Sequence, residues 1–479
     1  MVKRLDHYKK VLEKNPAYID SSRNVMEELE SVSSFSNNRD IETKDVVIKD
    51  NQLLHMREHY IHTCAPVITE YALWVIRNAI KDGIDKLYFL SRDAYPVYLA
   101  AKKVITIYKT EKEKIPELHY LRVSRYALRI PEMAIKGDAF LDMMFLSGID
   151  VTMRKILGRG ALTENEMKLF AEIIGFERPL DEILSRPEIL ALKEKAKAHK
   201  EELAPMVQAH GRDKLPLVLG YLRQEGMLDG SKCAIVDSGW IGTTQRSLQK
   251  LLRLEKPELE LKGYYFGLYE IPKEMKKENY KSFYFAPRNG IMRKTLFSNC
   301  LFEAVSSEKT GMTLSYEKND DGKFIAKLSE GGSLNGQFLS MTEEIITLYA
   351  AAYVKYHRKD TGYRISPGIL KTLMANPDDW EACSYGNLFF CDDVLETDKK
   401  HIAADLSYED ICNLRLINKI YIWFRARFRD DSDGKKTLPT IHESGWIYAS
   451  IVRCNISKSW SLFNAKLYNF LMYLRKSIR

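Results

Sequence analysis

From about residue 60 to residue 290, the spacing of apolar residues changes repeatedly between two patterns. Short continuous apolar runs, which are typical of buried strands, occur near 87–90, 118–123, 234–236 and 261–270. Between these runs, apolar residues recur at steps of three and four, as they do over 65–80, which is typical of a helix. This alternation predicts an α/β fold built on a parallel sheet.

The pattern is different on either side of this region. Residues 1–55 are polar and predict a loosely held leader, and residues 56–330 predict the α/β domain. A charge-rich stretch at about 138–230 predicts a helical insertion in that domain. Amphipathic stretches over 331–479 predict a mainly helical C-terminal domain. We therefore expect a Rossmann-like parallel sheet with a helical insertion, followed by helices.

Polar side chains follow three of the predicted strands and are the candidate binding residues. In open α/β sheets, ligands bind beyond the carboxyl ends of the strands. Because these ends share one edge of the sheet, we expect the three clusters to meet there. The first contains Ser91, Arg92 and Asp93, the second Ser124 and Arg125, and the third Asp237, Ser238, Gly239, Trp240, Gly242, Thr243 and Thr244.

The third cluster has the composition of an anion-binding turn. Gly239 and Gly242 let the backbone turn sharply and approach a ligand closely. A helix predicted to begin near Thr243 would direct its first amides at this turn, and such amides bind phosphate. The same residues also suit a tight turn with a threonine N-cap and no ligand, so a structural interpretation stays open.

Charged residues in the three clusters suggest specific roles. Arg92 and Arg125 would bind phosphate through charge-assisted guanidinium forks. Asp93 and Asp237 are the candidate catalytic residues, as general base or as ligands of Mg²⁺, which prefers carboxylate and phosphate oxygens. Arg92 and Asp93 could instead pair only with each other.

Three further features are weaker candidates. Glu303 stands in an apolar setting and is a candidate third carboxylate, and Asp392 with Asp393 is a candidate chelating pair. The segment "WFRARFRD" at 423–430 and the basic C-terminal helix suggest a peripheral membrane contact. All three features also occur on ordinary solvated surfaces.

Composition narrows the class of protein. The chain has 479 residues, of which 45% are hydrophobic and 29% charged, so it is expected to be globular with two or three packed units. A net charge of +8 favours anionic partners but is too small for that length to indicate a nucleic-acid-binding protein. The lack of an apolar leader or an 18-residue apolar run, with dispersed cysteines, predicts a cytoplasmic protein.

Three motifs in order, "LYFLSRDAYPV", "YLRVSRYALRIP" and "AIVDSGWIGTTQRSL", carry a resemblance to a known family. They are similar to the second half of bacterial proteins described as predicted hydrolases of the haloacid dehalogenase-like (HAD) superfamily, which accompany genes of surface-polysaccharide biosynthesis. The resemblance implies a HAD-like sheet and phosphoester chemistry, with Ser91 at the Ser/Thr position and Asp237 at a late acidic position. No DxDx(T/V) nucleophile motif precedes Ser91, which puts aspartyl-phosphate chemistry in question.

The leading hypothesis is a HAD-like phosphoester-handling enzyme that acts on a phosphorylated or nucleotide-linked sugar. A looser likeness of "IVDSGWIGTT" to the ribose-phosphate loop of phosphoribosyltransferases makes a transferase the first alternative. The second alternative is a non-catalytic α/β module that binds a sugar phosphate or recruits partners. The identity of the substrate, the choice between hydrolysis and transfer, and the oligomeric state are left open by the sequence.

Overall fold

The computed structural model describes residues 2–33, 50–110, 114–135, 140–146, 151–330, 332–391, 400–419 and 444–478. The candidate pair Asp392 and Asp393 and the segment 423–430 lie outside these ranges.

A five-stranded sheet, parallel throughout, forms the centre of the fold, with the strand order β2-β1-β3-β4-β5. Its strands are β1 Lys86–Leu90, β2 Glu117–Leu121, β3 Cys233–Trp240, β4 Lys262–Leu268 and β5 Tyr280–Phe285. The α/β class and the first four strands predicted from the sequence are confirmed, whereas β5 was not predicted. The chain leaves β1 toward one edge of the sheet and β3 toward the other, so a crevice is expected between the ends of these two strands.

Helices cover both faces of the sheet, and two short antiparallel pairs lie outside it. The pairs are β6 Thr313–Lys318 with β7 Phe324–Leu328, and β8 Phe389–Phe390 with β9 Lys400–His401. The α-helices in the described ranges are α1 Val2–Leu12, α2 Pro16–Ser33, α3 Asp50–His62, α4 Cys64–Lys81, α5 Tyr95–Val104, α6 Arg125–Ile135, α7 Phe140–Met144, α8 Met153–Gly158, α9 Glu164–Ile173, α10 Arg186–Ala198, α11 Lys200–Gln224, α12 Thr243–Leu252, α13 Ile291–Thr295, α14 Asn299–Val305, α15 Gly336–Tyr356, α16 Ser366–Ala375, α17 Asp379–Ser384, α18 Tyr408–Asn413, α19 Ile447–Cys454 and α20 Lys458–Ile478.

The two faces of the sheet bury different sets of side chains, because successive residues of a strand point to opposite faces. Leu87 and Phe89 of β1 pack into the larger core with α4, α5 and α15, while Tyr88 and Leu90 pack into a second core with α6, α11 and α12. Strands buried on both faces read as continuous apolar runs, which is why these strands were recognisable in the sequence.

Helices fill the connection between β2 and β3. Helices α7 to α10, together with the start of α11, enclose a third cluster of buried residues that includes Phe140, Met153, Ile156 and Phe170. This insertion therefore has an apolar core of its own beside the sheet.

The N-terminal segment differs from the expected leader. Helices α1 and α2 bury Tyr8, Leu12, Tyr18 and Val25 in the larger core. Leu5, Tyr8 and Leu12 recur at steps of three and four, so a short apolar face exists within a segment whose average composition is polar. The described part of residues 1–55 is packed rather than loosely held.

Buried hydrogen bonds connect α1 to α17. The Glu381 carboxylate accepts from Tyr8 Oη at 2.5 Å, from Arg4 Nε at 3.0 Å and from His59 Nε2 at 2.9 Å. Burial alone would raise the pKa of Glu381, but the bonds from His59 and Arg4 outweigh it and lower the pKa below its ordinary value. An ionised carboxylate thus joins the first helix to a distant part of the chain.

Helix α20 is the described part of the expected membrane contact. It carries the exposed side chains of Trp460, Phe463 and Leu471 beside several basic residues. None of the helices in the described ranges combines the length and the apolar character needed to cross a membrane. A peripheral membrane contact through α20 stays a prediction.

Candidate functional site

Two of the three predicted polar clusters meet beyond the adjacent ends of β1 and β3. Phe89 of β1 is in register with Val236 of β3, so the segments that follow these strands start side by side. The Ser238 hydroxyl donates to Asp93 Oδ2 at 2.8 Å and joins the two segments directly. This contact lies at the point where the chain connections diverge, which is where ligands bind in sheets of this kind.

Asp237 is the carboxyl group with the most unusual environment here. The Ser238 amide donates to Asp237 Oδ1 at 2.9 Å, and Tyr71 Oη donates to the Asp237 carbonyl oxygen at 2.9 Å. Burial raises the pKa of Asp237 from 3.8 to about 7, and the negative charge of Asp93 acts in the same direction. The Ser238 hydrogen bond and the positive charge of Arg125 oppose this shift. A carboxyl group with a pKa near neutrality is suited to both giving and accepting protons.

The second predicted cluster, Ser124 and Arg125, contributes one charged residue and one structural residue. Arg125 is the first residue of α6, is exposed, and acts electrostatically on Asp237. Ser124 instead caps α6, since its hydroxyl oxygen accepts from the Ala127 amide at 2.9 Å and its proton is donated to the Thr313 carbonyl at 2.6 Å. Ser124 therefore positions Arg125 and has its own hydrogen bonds satisfied.

Ser91 and Arg92 have different surroundings from each other. The Ser91 hydroxyl donates to the Val123 carbonyl at 2.7 Å and accepts from the Val123 amide at 2.9 Å. This pair of bonds ties the end of β1 to the segment after β2 and gives Ser91 a structural role. Arg92 reaches the Thr310 carbonyl at 3.5 Å and lines an open cleft.

The turn after β3 depends on its glycines. Gly239 has φ 111° and Gly242 has φ 68°, both in the region that glycine adopts readily. A Cβ atom on Gly239 would lie 2.5 Å from the Gly267 carbonyl oxygen, and one on Gly242 would lie 2.5 Å from Cε1 of Tyr280. Close packing against β4 and β5, as well as the turn itself, therefore requires glycine at both positions.

Trp240 faces the core rather than open solvent. Its ring packs against Phe285, Phe297 and Phe302, and its indole N–H donates to Glu303. Trp240 also has a positive φ of 69°. The residue expected to bind substrate is thus mainly an anchor of the turn, and it holds Glu303 in place.

Helix α12 begins at Thr243, as the sequence predicted. Gly242 is its N-cap residue and has no side chain with which to accept from the first-turn amides. Thr243 and Thr244 are partly exposed at this end of the helix. The amides of the first turn and the positive end of the helix dipole therefore face the same edge of the sheet as Asp237.

An open cleft lies beside Asp93, on the face of the sheet that carries α14 and α15. It brings Glu303 of α14 next to Arg92 and Asp93, so the weaker carboxylate candidate does lie near the site. The other side chains around it are a mixture of polar, aliphatic and aromatic groups. The residues that line this cleft are Arg92, Asp93, Glu303, Ala304, Ser307, Gly332, Ser333, Leu334, Asn335, Leu339, Phe389, Phe390 and Cys391.

Two arginines near this edge were not identified from the sequence. Arg129 lies four residues after Arg125 on α6, and Arg246 lies in the first two turns of α12. Helix α6 packs on α12, and the charges of Arg125 and Arg246 both lower the pKa of Arg129. The spacing of four within a helix was the one sequence signal for Arg129, because residues four apart share a face.

A magnesium site fits this arrangement only in part. The described ranges contain no group of three or more His, Cys, Asp or Glu side chains placed to hold a metal ion. Asp93 and Asp237 supply two carboxylates, so phosphate oxygens and water would have to complete an octahedral shell. If Mg²⁺ binds with the substrate, it would add positive charge at the phosphate.

Comparisons with known proteins give no family for this chain. No protein-family model and no curated protein matches it.

Proposed function

We propose that this protein is a phosphoester-handling enzyme that acts on a phosphorylated or nucleotide-linked sugar, with Asp237 as its general acid–base group. The observation that supports this most is the position of Asp237, whose pKa is raised to about 7 beside Asp93 and Arg125 at the ends of β1 and β3. Paired carboxyl groups with separated pKa values are typical of acid–base catalysis.

Phosphate binding is the first step of the proposed reaction. Arg125 and the first-turn amides of α12 supply positive charge and N–H donors on one side of Asp237. A bound phosphate would add negative charge close to Asp237 and favour its protonated form. The protonated carboxyl group would then be ready to donate to the leaving oxygen.

Proton transfer accompanies cleavage of the bond between phosphorus and the sugar oxygen. A water oxygen forms a bond to phosphorus while the bond from phosphorus to the sugar oxygen breaks, and Asp237 donates its proton to that sugar oxygen, which leaves as a hydroxyl. A proton from the attacking water returns Asp237 to its protonated form. The negative charge of Asp93, whose Oδ2 accepts from Ser238, helps to keep the pKa of Asp237 high. In a transferase, a sugar hydroxyl would replace the water.

The cleft beside Asp93 suits the sugar. Glu303, Ser333 and Asn335 offer hydrogen-bonding groups for hydroxyls, and Phe389 and Phe390 offer apolar surface. This arrangement puts the sugar on the α14–α15 face of the sheet and the phosphate on the α6–α12 face. The two carboxyl groups lie between them.

The HAD-like resemblance supports phosphoester chemistry and a part in surface-polysaccharide synthesis, and both belong to this proposal. Without a DxDx(T/V) motif, the proposed reaction uses direct attack by water rather than an aspartyl-phosphate intermediate. The parallel α/β sheet is compatible with a HAD-like fold and with other parallel folds alike.

Turnover of phosphate esters and nucleotide sugars by the Asp237→Asn variant tests the proposal. We expect kcat to fall by about 100-fold or more because the variant has no proton to transfer, with a small change in KM. The wild-type rate should also change with pH around the pKa of Asp237, near 7. Asp320→Asn, a change at an exposed turn residue, is the matched control and should keep full activity.

Two results would contradict an enzymatic function. One is equal turnover by the Asp237→Asn and wild-type proteins. The other is thermal stabilisation of the wild-type protein by sugar phosphates without any turnover, which would identify a binding module instead.

A further inference from the structure

Four arginines from separate parts of the chain form a positively charged group on the α6–α12 face of the sheet. This arginine cluster consists of Arg125 and Arg129 of α6, Arg246 of α12, and Arg159, which follows α8 in the insertion. Helix α6 packs directly on α12. Arg129 interacts electrostatically with each of the other three, which places it at the centre of the cluster.

The arginines of the cluster outnumber the carboxylates that act on them, of which Asp237 interacts with Arg125 and Glu132 with Arg129. Burial, followed by the charges of Arg125, Arg246 and Arg159, lowers the pKa of Arg129 from 12.5 to about 10, and the charge of Glu132 opposes this shift. Glu132 is itself bound to α12, where it accepts from Ser247 Oγ at 2.5 Å and lies 3.5 Å from Lys250 Nζ.

Arg122, which lies three residues before Arg125, is by comparison an arginine whose charge is neutralised by an ion pair. Its Nη1 and Nη2 atoms donate to Glu308 at 2.8 and 2.7 Å. Arg125, Arg129 and Arg246, by contrast, form no ion pair with a carboxylate of the described ranges. A fold that holds like charges together at this cost commonly does so to bind an anion.

Arg246 provides a second, independent observation. Its Nε atom is buried and has no hydrogen-bond partner among the residues that the structure describes. A buried N–H of a charged group is costly when it is left unsatisfied, so native proteins usually provide a partner or bind one. Arg159 also has backbone partners, since its Nη1 donates to the Met144 carbonyl at 2.9 Å and the Leu146 carbonyl at 2.6 Å.

We propose that the arginine cluster is a binding site for the terminal phosphoryl group of a phosphate monoester. Each guanidinium offers a fork of two N–H donors, and the forks of Arg125, Arg129 and Arg246 together match the three terminal oxygens of such a group. Arg125 acts electrostatically on both Arg129 and Asp237. A phosphoryl group bound here therefore lies next to the acid–base carboxyl group of Asp237. This inference rests on the proposed function for the role of the anion as substrate, and it narrows the substrate to a sugar phosphate.

Charge distribution favours a monoester over a nucleotide-linked sugar. A monoester carries about two negative charges on one phosphorus at neutral pH, whereas each phosphorus of a sugar-linked diphosphate carries about one. A compact group of arginines around Arg129 interacts best with charge concentrated at one point.

Binding of small anions to the full chain tests the site. The probes are inorganic phosphate and methyl phosphate, which present a terminal phosphoryl group, and dimethyl phosphate, which does not. By calorimetry and thermal unfolding, we expect the first two to bind at least tenfold more tightly than the third. Equal binding of dimethyl phosphate, or no binding of phosphate, would overturn the proposal.

The variants Arg129→Gln and Arg246→Gln distinguish an anion-binding role of these arginines from a purely structural role. Each should weaken phosphate binding at least tenfold and, because one like charge is removed, each should unfold at a higher temperature than wild type in phosphate-free buffer. Arg223→Gln, which removes an exposed arginine paired with Glu255, should bind phosphate as wild type does. Variants that are destabilised without phosphate and still bind it normally would show that the cluster is structural.

The outcome also separates this site from the proposed reaction. Loss of turnover in Asp237→Asn with unchanged phosphate binding in both arginine variants would reject the site and keep the enzyme. Arginine-dependent phosphate binding with no turnover of any phosphate ester would keep the site and reject the enzyme.

Discussion

Asp237, which is partly exposed, and Glu381, which is buried, have pKa shifts of opposite direction. Burial is the largest influence on both Asp237 and Glu381, and it acts to raise the pKa of each. At Asp237 the charge of Asp93 adds to it, whereas at Glu381 the bonds from His59 and Arg4 overcome it. The neighbours therefore make Glu381 an ionised structural anchor and Asp237 a group that titrates near neutral pH.

Asp237 should make stability depend on pH in a definite direction. Because its folded-state pKa of about 7 lies above its ordinary value of 3.8, the folded protein binds more protons than the unfolded chain between these values. The contribution of Asp237 to the free energy of unfolding therefore falls as pH rises from about 4 to about 7 and then levels. Urea unfolding of wild type and Asp237→Asn across this range measures it.

The Asp237→Asn variant lacks this titration, so its stability relative to wild type should rise with pH through the same range. Asp320→Asn supplies the baseline for loss of an exposed carboxylate. A difference between Asp237→Asn and wild type that does not vary with pH would mean that Asp237 is already ionised at pH 4.

At the scale of single elements, the turn between β3 and α12 organises the site. Its positive φ angles direct the chain so that Asp237 and Ser238 precede the turn and Thr243 starts the helix after it. The tight fit against β4 leaves no space for a side chain at Gly239. Glycine is thus required at position 239 both for the positive φ and for the close packing against β4. The two requirements can be tested separately.

Replacing Gly239 by alanine should cost more stability than replacing Gly83. Both have positive φ, 111° and 62°, but a Cβ on Gly239 would meet Gly267 O at 2.5 Å whereas one on Gly83 meets nothing within 4 Å. We expect Gly83→Ala to cost about 1 kcal/mol from backbone strain alone and Gly239→Ala about 3 kcal/mol or more. Equal losses in denaturant unfolding would show that the turn can relax away from β4.

The elements that the sequence predicted well are those with a local signature. The strand runs of β1 and β3 and the start of α12 at Thr243 follow from neighbouring residues alone. Strand β5 was missed because "YKSFYF" contains Lys281 and Ser282, which suit a strand at the edge of the sheet better than a buried apolar run.

The site residues at the strand ends were predictable from the sequence, whereas the arginines of α12 and of the insertion were not. Asp93, Arg125 and Asp237 follow strands directly, so the topology of a parallel sheet brings them together. Arg246 lies on α12 and Arg159 follows α8, so their positions near Arg129 depend on how α12 and the insertion pack, which no periodicity along the chain encodes. Ser91 and Ser124 follow strands in the sequence as ligand-binding residues do. Their hydroxyl groups instead donate hydrogen bonds to backbone carbonyl groups.

At the scale of the whole molecule, the arginine cluster joins two cores. Arg159 belongs to the insertion, which has its own buried cluster, whereas Arg125, Arg129 and Arg246 extend from helices packed on the sheet. An anion bound among them would therefore hold the insertion against the sheet. Without it, these like charges oppose that contact.

Phosphate should consequently slow amide hydrogen exchange in the insertion. We expect slower exchange in α8 and α9 on adding phosphate, because bound anion opposes local separation of the two cores. Helix α16, which packs on α1 and α4 far along the chain, serves as the internal control and should not change. Unchanged exchange in α8, or the same slowing in the Arg129→Gln variant, would contradict this link.

The bond between Tyr8 of α1 and Glu381 of α17 has a consequence for synthesis of the chain. These residues are 373 positions apart, so at 5 to 20 residues per second the ribosome takes roughly 20 to 75 s to deliver the second after the first. During that interval the apolar face of α1 has emerged but its carboxylate anchor does not yet exist. Helix α1 therefore cannot complete its packing until α17 has been made, and nascent chains of this protein should be clients for chaperones until α17 has left the tunnel.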